Sequence, residues 1–155
     1  MLTREIAQLL KSQNKTIAVA ESCTGGLASK MLTDIPGSSQ YFVMGIVAYS
    51  NAAKTKLLSI PKSLLTKYGA VSKPVAQKLA SNIRKLAKTD FGIGVTGITG
   101  PAGGTKEKPV GTIYIAIDCA CCSNCKKFQF KGSRLLIRKK ASTEALKLLK
   151  QCLKK

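Results

Sequence analysis

Glu21, Ser22, Cys23 and Thr24 stand in one run ahead of Gly25 and Gly26, directly after the apolar stretch Thr16 to Ala20. A strand that empties a carboxylate, two hydroxyls and a thiol into paired glycines reads as an active-site loop. The glycines permit a tight turn, and the free N–H groups of the helix that follows lie beside the reactive side chains. Such an arrangement suits an anion or a developing oxyanion. Ser22 is the candidate nucleophile and Cys23 its rival. The structural alternative makes Ser22 or Thr24 a helix cap and Cys23 a small buried residue.

Histidine is absent from the chain, which excludes Ser-His-Asp and Cys-His catalysis and any zinc site built on imidazole. A serine nucleophile here must take Lys, Tyr, Asp, Glu or Cys as its base. Lys54 lies one helical turn beyond the strand end at Tyr49 and Ser50, within reach of the same pocket. Desolvation or a neighbouring cation would leave its amine neutral and basic. Tyr49 either shares the proton or closes the pocket wall. In a lysine-rich chain the plain alternatives are a solvated lysine and a packed tyrosine.

The run Thr96 to Thr105 is rich in glycine and threonine but is neither a Walker A motif nor a G-x-G-x-x-G fingerprint. Its backbone N–H groups and hydroxyls, with Thr96, Gly97, Gly100 and Thr105 as candidates, suit an anion or an amide oxygen. A purely structural glycine turn is the alternative. Arg134 and Arg138 are one helical turn apart and share a stripe with Ala141, Ala145, Leu148 and Cys152 that should face inward. Two guanidinium groups at the positive end of a helix make a phosphate clamp, unless they cap an internal carboxylate.

The elements that must position these residues follow from periodicity. Leu2, Ile6, Leu9 and Leu10 predict a helix over Leu2 to Ser12, and Thr16 to Ala20 a buried strand. Gly25 to Thr33 resumes as helix and stops at the turn Pro36 to Ser39. Tyr41 to Ser50 is a β-leaning run ending at Asn51, a good helix cap, with short helices over Asn51 to Leu58 and from Pro61 to Tyr68. Val75, Ala76, Leu79, Ala80, Ile83, Leu86 and Ala87 make Pro74 to Lys88 the clearest amphipathic helix. Strands are predicted at Phe91 to Val95 and Val110 to Asp118, with Lys126 to Phe130 as a hairpin partner, and Ser133 begins the last helix. Alternating strands and helices give an α/β class: a single three-layer α/β/α domain over residues 1–155 with a mixed, mostly parallel sheet. Ligands in such sheets sit beyond the C-terminal strand ends, where the 21–26, 49–54 and 96–105 segments converge.

The net charge of +19 comes almost wholly from scattered lysine, with four arginines and eight aromatic residues. That distribution argues against a specific nucleic-acid reader and for nonspecific, salt-sensitive adhesion to polyanions. No apolar run approaches a membrane span, and Arg4, Glu5 and Lys11 interrupt what would be a signal peptide, so a cytoplasmic protein without membrane contact is expected. Cys119, Cys121, Cys122 and Cys125 form one irregular cluster and not paired C-x-x-C knuckles. Reduced thiols of a cytosolic protein are expected there, with no metal and no cofactor.

Ala-Glu-Ser-Cys-Thr-Gly-Gly at 20–26, Pro-Gly-Ser-Ser at 36–39, Ala-Tyr-Ser-Asn at 48–51 with Lys54, Gly-Ala-Val-Ser at 69–72 and Val-Thr-Gly-Ile-Thr-Gly-Pro at 95–101 resemble the CinA carboxyl-terminal family. So do Gly103 to Thr105, Lys108 to Thr112 and the Arg134 to Arg138 spacing. The family includes deamidases that hydrolyse nicotinamide mononucleotide to nicotinate mononucleotide and ammonia. The resemblance implies that Ser22 attacks, that Lys54 with Tyr49 manages protons, and that Gly25, Gly26 and Thr96 hold the carboxamide oxygen or ribose. It implies that Arg138, together with Arg134, takes the phosphate, and that Glu21, Cys23 and Thr24 border the substrate. A noncatalytic nucleotide-binding or DNA-contacting competence protein is the alternative. Members often carry a further N-terminal domain; the stand-alone form is expected here, self-associating as a dimer. The chain departs from the family pattern at Ser133, Lys73 and Ala52 and in the Cys119 to Cys125 insertion.

Overall fold

Side-chain parity along the strands decides how this molecule is layered. The computed structural model describes residues 1–155 except for the side chain of Cys122. Its strands are β1 (Ile17–Glu21), β2 (Phe42–Val47), β3 (Phe91–Gly97), β4 (Thr112–Cys119) and β5 (Cys122–Gln129). They form one sheet in the order β2-β1-β3-β4-β5. β1 pairs in parallel with β2 and β3, and β4 runs antiparallel to both of its neighbours, so β4 alone opposes the common direction.

Helices α1 (Leu2–Ser12), α2 (Leu27–Thr33) and α6 (Arg134–Leu153) cover one face, while α3 (Asn51–Leu58), α4 (Lys62–Tyr68) and α5 (Lys73–Ala87) cover the other. Successive strand residues alternate between the two faces. Ile17, Val19, Ile93, Val95, Ile113, Ile115 and Ile117 therefore join the core under α1, α2 and α6, while Ala18 and Ala20 face α5. The α5 face of the sheet is built from small residues. A Cβ at Gly92 would collide with the carbonyl of Ala80, and one at Gly94 with the carbonyl of Ala76. Glycine at these two strand positions lets α5 lie almost on the backbone of β3.

The three-layer domain matches the sequence expectation, with shifts at element ends. β1 extends to Glu21 and β3 to Gly97, and α2 starts at Leu27 because Gly25 and Gly26 hold positive φ of 60° and 96° and belong to the loop. β2 stops at Val47, leaving Ala48 to Ser50 as a separate crossing, and Ser50, not Asn51, caps α3 by accepting from the Ala53 N–H. β5 starts at Cys122 and not Lys126, because the hairpin ladder with β4 runs to the pair Cys119 and Cys122. Ser72 and Ser133 cap α5 and α6. Among the described residues no helix is long and apolar enough to cross a membrane.

Candidate active site

β1 delivers Glu21 and Ser22 to opposite sides of the sheet, since the alternation that buries Ile17 and Val19 under α2 carries Glu21 the same way. The Glu21 carboxylate is fully buried beneath the start of α2. It accepts from the N–H groups of Gly26 (3.0 Å), Ala28 (3.1 Å) and Ser29 (2.8 Å) and from Ser29 Oγ (2.7 Å). A negative charge satisfying the first N–H groups of a helix is a strong local tie. Glu21 therefore anchors the loop and lies outside the cavity lining, on the far side of the sheet from where the sequence expectation placed it.

Ser22 faces the α3 side and meets Lys54. Lys54 Nζ stands 3.0 Å from Ser22 Oγ and donates to the Tyr49 carbonyl at 2.9 Å. The lysine is 1% exposed and the serine 8%. Burial pushes the Lys54 amine below its ordinary 10.5 by disfavouring the charged form. Cys23, its neighbour, has its thiol pushed up to about 12 by burial, so it carries no thiolate near neutral pH. A neutral Cys23 removes the charge that would favour protonated Lys54, and Ser22 Oγ is the hydroxyl within hydrogen-bond reach of that amine.

These groups floor a cavity of about 260 Å³ bordered by Ser22, Cys23, Tyr49, Lys54, Thr96, Gly97, Gly100 and Arg134 among others. Eight residues expected from the sequence thus meet in one place. Arg134 sits at the rim, donating to the Gly100 carbonyl at 2.7 Å and to the Tyr49 hydroxyl at 2.8 Å. Tyr49 is 57% exposed, so it is a wall at the mouth and not a core residue. Thr96 donates its hydroxyl to the Ala70 carbonyl at 2.9 Å, tying β3 to the 69–72 turn on the far wall.

Five further expected residues lie outside this lining. Thr24 is fully buried and its Oγ1 has no hydrogen-bond partner among the described residues. Gly25 donates its N–H to the Ser22 carbonyl and Gly26 to Glu21, so the turn itself consumes the two N–H groups expected for an oxyanion. Thr105 accepts from the Lys108 N–H and closes a turn in the outer part of the 98–111 loop. Arg138 donates to the Thr24 carbonyl at 2.8 Å and packs over Gly25, supporting the loop from behind. Of the two arginines it is Arg134, one turn nearer the helix start, that borders the cavity.

Asn51, Ala70, Val71, Thr99, Ala102 and Gly103 also line the cavity and were missed as site residues. Thr99 was discoverable as the second hydroxyl of Thr-Gly-Ile-Thr-Gly. Asn51 was absorbed into a capping role that Ser50 takes. Among the described residues no group of three or more His, Cys, Asp or Glu side chains is placed to hold a metal ion.

The model of the CinA C-terminal domain matches residues 1–153. A CinA-like protein of Geotalea uraniireducens is 49% identical over 146 residues, covering 94% of this chain and 35% of that protein. A putative competence-damage inducible protein of Thermoanaerobacter pseudethanolicus is 46% identical over 148 residues, covering 96% and 36% respectively. The chain spans about a third of the length of these curated relatives. Among solved structures, the competence/damage inducible protein CihA from Agrobacterium tumefaciens superposes with a TM-score of 0.96 at 35% identity, covering 99% of this chain and 94% of that one. The competence damage-inducible protein A (ComA) from Klebsiella pneumoniae gives 0.93 at 32% identity, covering 97% and 93%. With the family match spanning residues 1–153 and the site built on its motif positions, this chain belongs to the CinA C-terminal domain family.

Proposed function

We propose that the cavity hydrolyses the carboxamide of nicotinamide mononucleotide, giving nicotinate mononucleotide and ammonia. The observation that carries this reading is the solvent-excluded contact of 3.0 Å between Ser22 Oγ and Lys54 Nζ. A buried amine without a carboxylate partner is biased to its neutral form, and its lone pair can then accept the serine proton. Ser22 Oγ attacks the carboxamide carbon as Lys54 takes the proton. The Cys23 N–H, next to the nucleophile and outside the turn bonds of the loop, is the donor suited to the resulting oxyanion. Lys54 returns the proton to the departing nitrogen, which leaves as ammonia. Water then enters, gives a proton to Lys54 and adds to the ester carbonyl; the bond to Ser22 Oγ breaks as Lys54 returns that proton to it, and the product leaves as the carboxylate with its acid proton passing to solvent. The Tyr49 carbonyl fixes the amine through this exchange, and its hydroxyl keeps Arg134 at the rim. Arg134 is the cation suited to the nucleotide phosphate.

Ammonia release from nicotinamide mononucleotide, with and without a chelator, is the direct test. Turnover that survives the chelator and disappears in Ser22→Ala supports the reading. Binding of the nucleotide without turnover in the wild-type protein would favour a noncatalytic member, and loss of turnover to the chelator would return attention to metal chemistry.

A further inference from the structure

A second cavity, of about 240 Å³, opens at the opposite end of the sheet, where β3 begins and β4 ends. Its border includes Lys15, Arg84, Lys88, Phe91, Cys119 and Cys121. Lys15 is paired with Asp90 at 3.0 Å and Arg84 with Asp118 at 3.3 Å. Lys88, held at a helix end with φ of 54°, takes part in no ion pair among the described residues. The cavity therefore presents surplus positive charge.

Two thiols stand at its lip. Cys119 and Cys122 are the last paired residues of the β4-β5 ladder, which makes Ala120 and Cys121 a two-residue turn. The turn folds Cys121 back so that its sulfur lies 3.4 Å from that of Cys119, a thiol contact and not a bond. Cys121 is exposed and Cys119 buried, so one sulfur is open to a reagent while the other waits behind it. Cys125 sits further up the ladder opposite Ala116, and burial pushes its thiol up to about 11.

We propose that Cys119 and Cys121 form an exchange-active dithiol for anionic low-molecular-weight disulfides, with Cys121 as the attacking and Cys119 as the resolving sulfur. The Cys121 thiolate attacks one sulfur of the reagent, forming a mixed disulfide and releasing one thiolate. The Cys119 thiolate then attacks the Cys121 sulfur and expels the second. Two protein S–H bonds become one S–S bond, and the two electrons and two protons leave on two small thiols. The cationic cavity raises the local concentration of an anionic reagent at the lip. This inference stands apart from the Ser22 chemistry, which lies at the other end of β3.

The test mixes reduced full-length protein with glutathione disulfide, quenches in acid and maps the tryptic peptide from Glu107 to Lys126 by tandem mass spectrometry. The wild-type peptide is expected to lose two hydrogens and keep no adduct, whereas Cys119→Ser should trap glutathione on Cys121. Cys121→Ser should show neither product, and Cys125→Ser should behave like the wild type. Neutral bis(2-hydroxyethyl) disulfide should react about tenfold more slowly at low salt, with the gap closing as salt rises. Matched thermal melts of the variants separate lost chemistry from lost folding. Loss of two hydrogens in Cys119→Ser or Cys121→Ser, or a stable glutathione adduct on the wild type, would overturn the pairing. Equal rates for the two reagents would overturn the choice of ligand class.

Discussion

Lys54 is the residue on which the proposed chemistry turns, and its burial has consequences in both activity and stability. Because the amine is held below 10.5, kcat/KM should rise with pH along a limb whose midpoint lies below that value, read from initial rates across a pH series. The stability sign follows from the same shift. The unfolded chain keeps the Lys54 proton up to 10.5, so wild-type stability should climb between the folded value and 10.5, relative to Lys54→Met, and be most penalised below that window. Lys54→Met should therefore melt at or above the wild-type temperature at neutral pH while losing about 10²–10⁴ in kcat. Ser22→Ala should lose on the order of 10⁴ in kcat with nucleotide binding intact, and the double variant little more, as expected for groups that act as a unit. The two arginines separate by position. Arg134→Ala should raise KM for the nucleotide about 10–100-fold and leave the unphosphorylated riboside unaffected. Arg138→Ala, acting through the Thr24 carbonyl, should instead lower kcat for both substrates alike.

Two elements hold Ser22 in place, and both act from outside the cavity. Glu21 ties β1 to the first turn of α2, so Glu21→Gln should cost about 1–3 kcal/mol in urea unfolding by setting an amide N–H against backbone donors. Gly94 admits α5 against β3, and Gly94→Ala should destabilise by about 1–3 kcal/mol or more, because the obstacle is helix backbone that cannot yield. Much of this scaffold was legible beforehand. The apolar periodicity of α1 and α5 and the expected strand ends at Ala20 and Ser50 placed Ser22, Lys54 and the glycine loop together. What misled was local. Glu21 looked like part of the reactive run, yet one more residue of strand turns it to the far face. Arg134 and Arg138 share a helix stripe, and periodicity does not say how far along its axis a helix meets a pocket. Thr99 and Thr105 differ only in the path of a long loop, which composition leaves open. The Cys122 start of β5 comes from pairing with β4 and overrides the weak strand preference of Ser123 and Asn124.

At the scale of the whole molecule, the charge of +19 comes from lysines spread along the entire chain. We expect adhesion to DNA or RNA at low ionic strength that fades steeply toward physiological salt and shows no sequence preference, measured by anisotropy across a salt series. Binding that persists at physiological salt with a sequence preference would contradict this. The arrangement of the sheet adds a separate possibility. β3 is seven residues long, so roughly 20 Å of strand separates the Ser22 cavity from the hairpin tip at Ala120 and Cys121. A dye coupled at that tip would watch the protein from its far pole without obstructing the mouth. A bead tethered there would orient every molecule with its working end toward the solution.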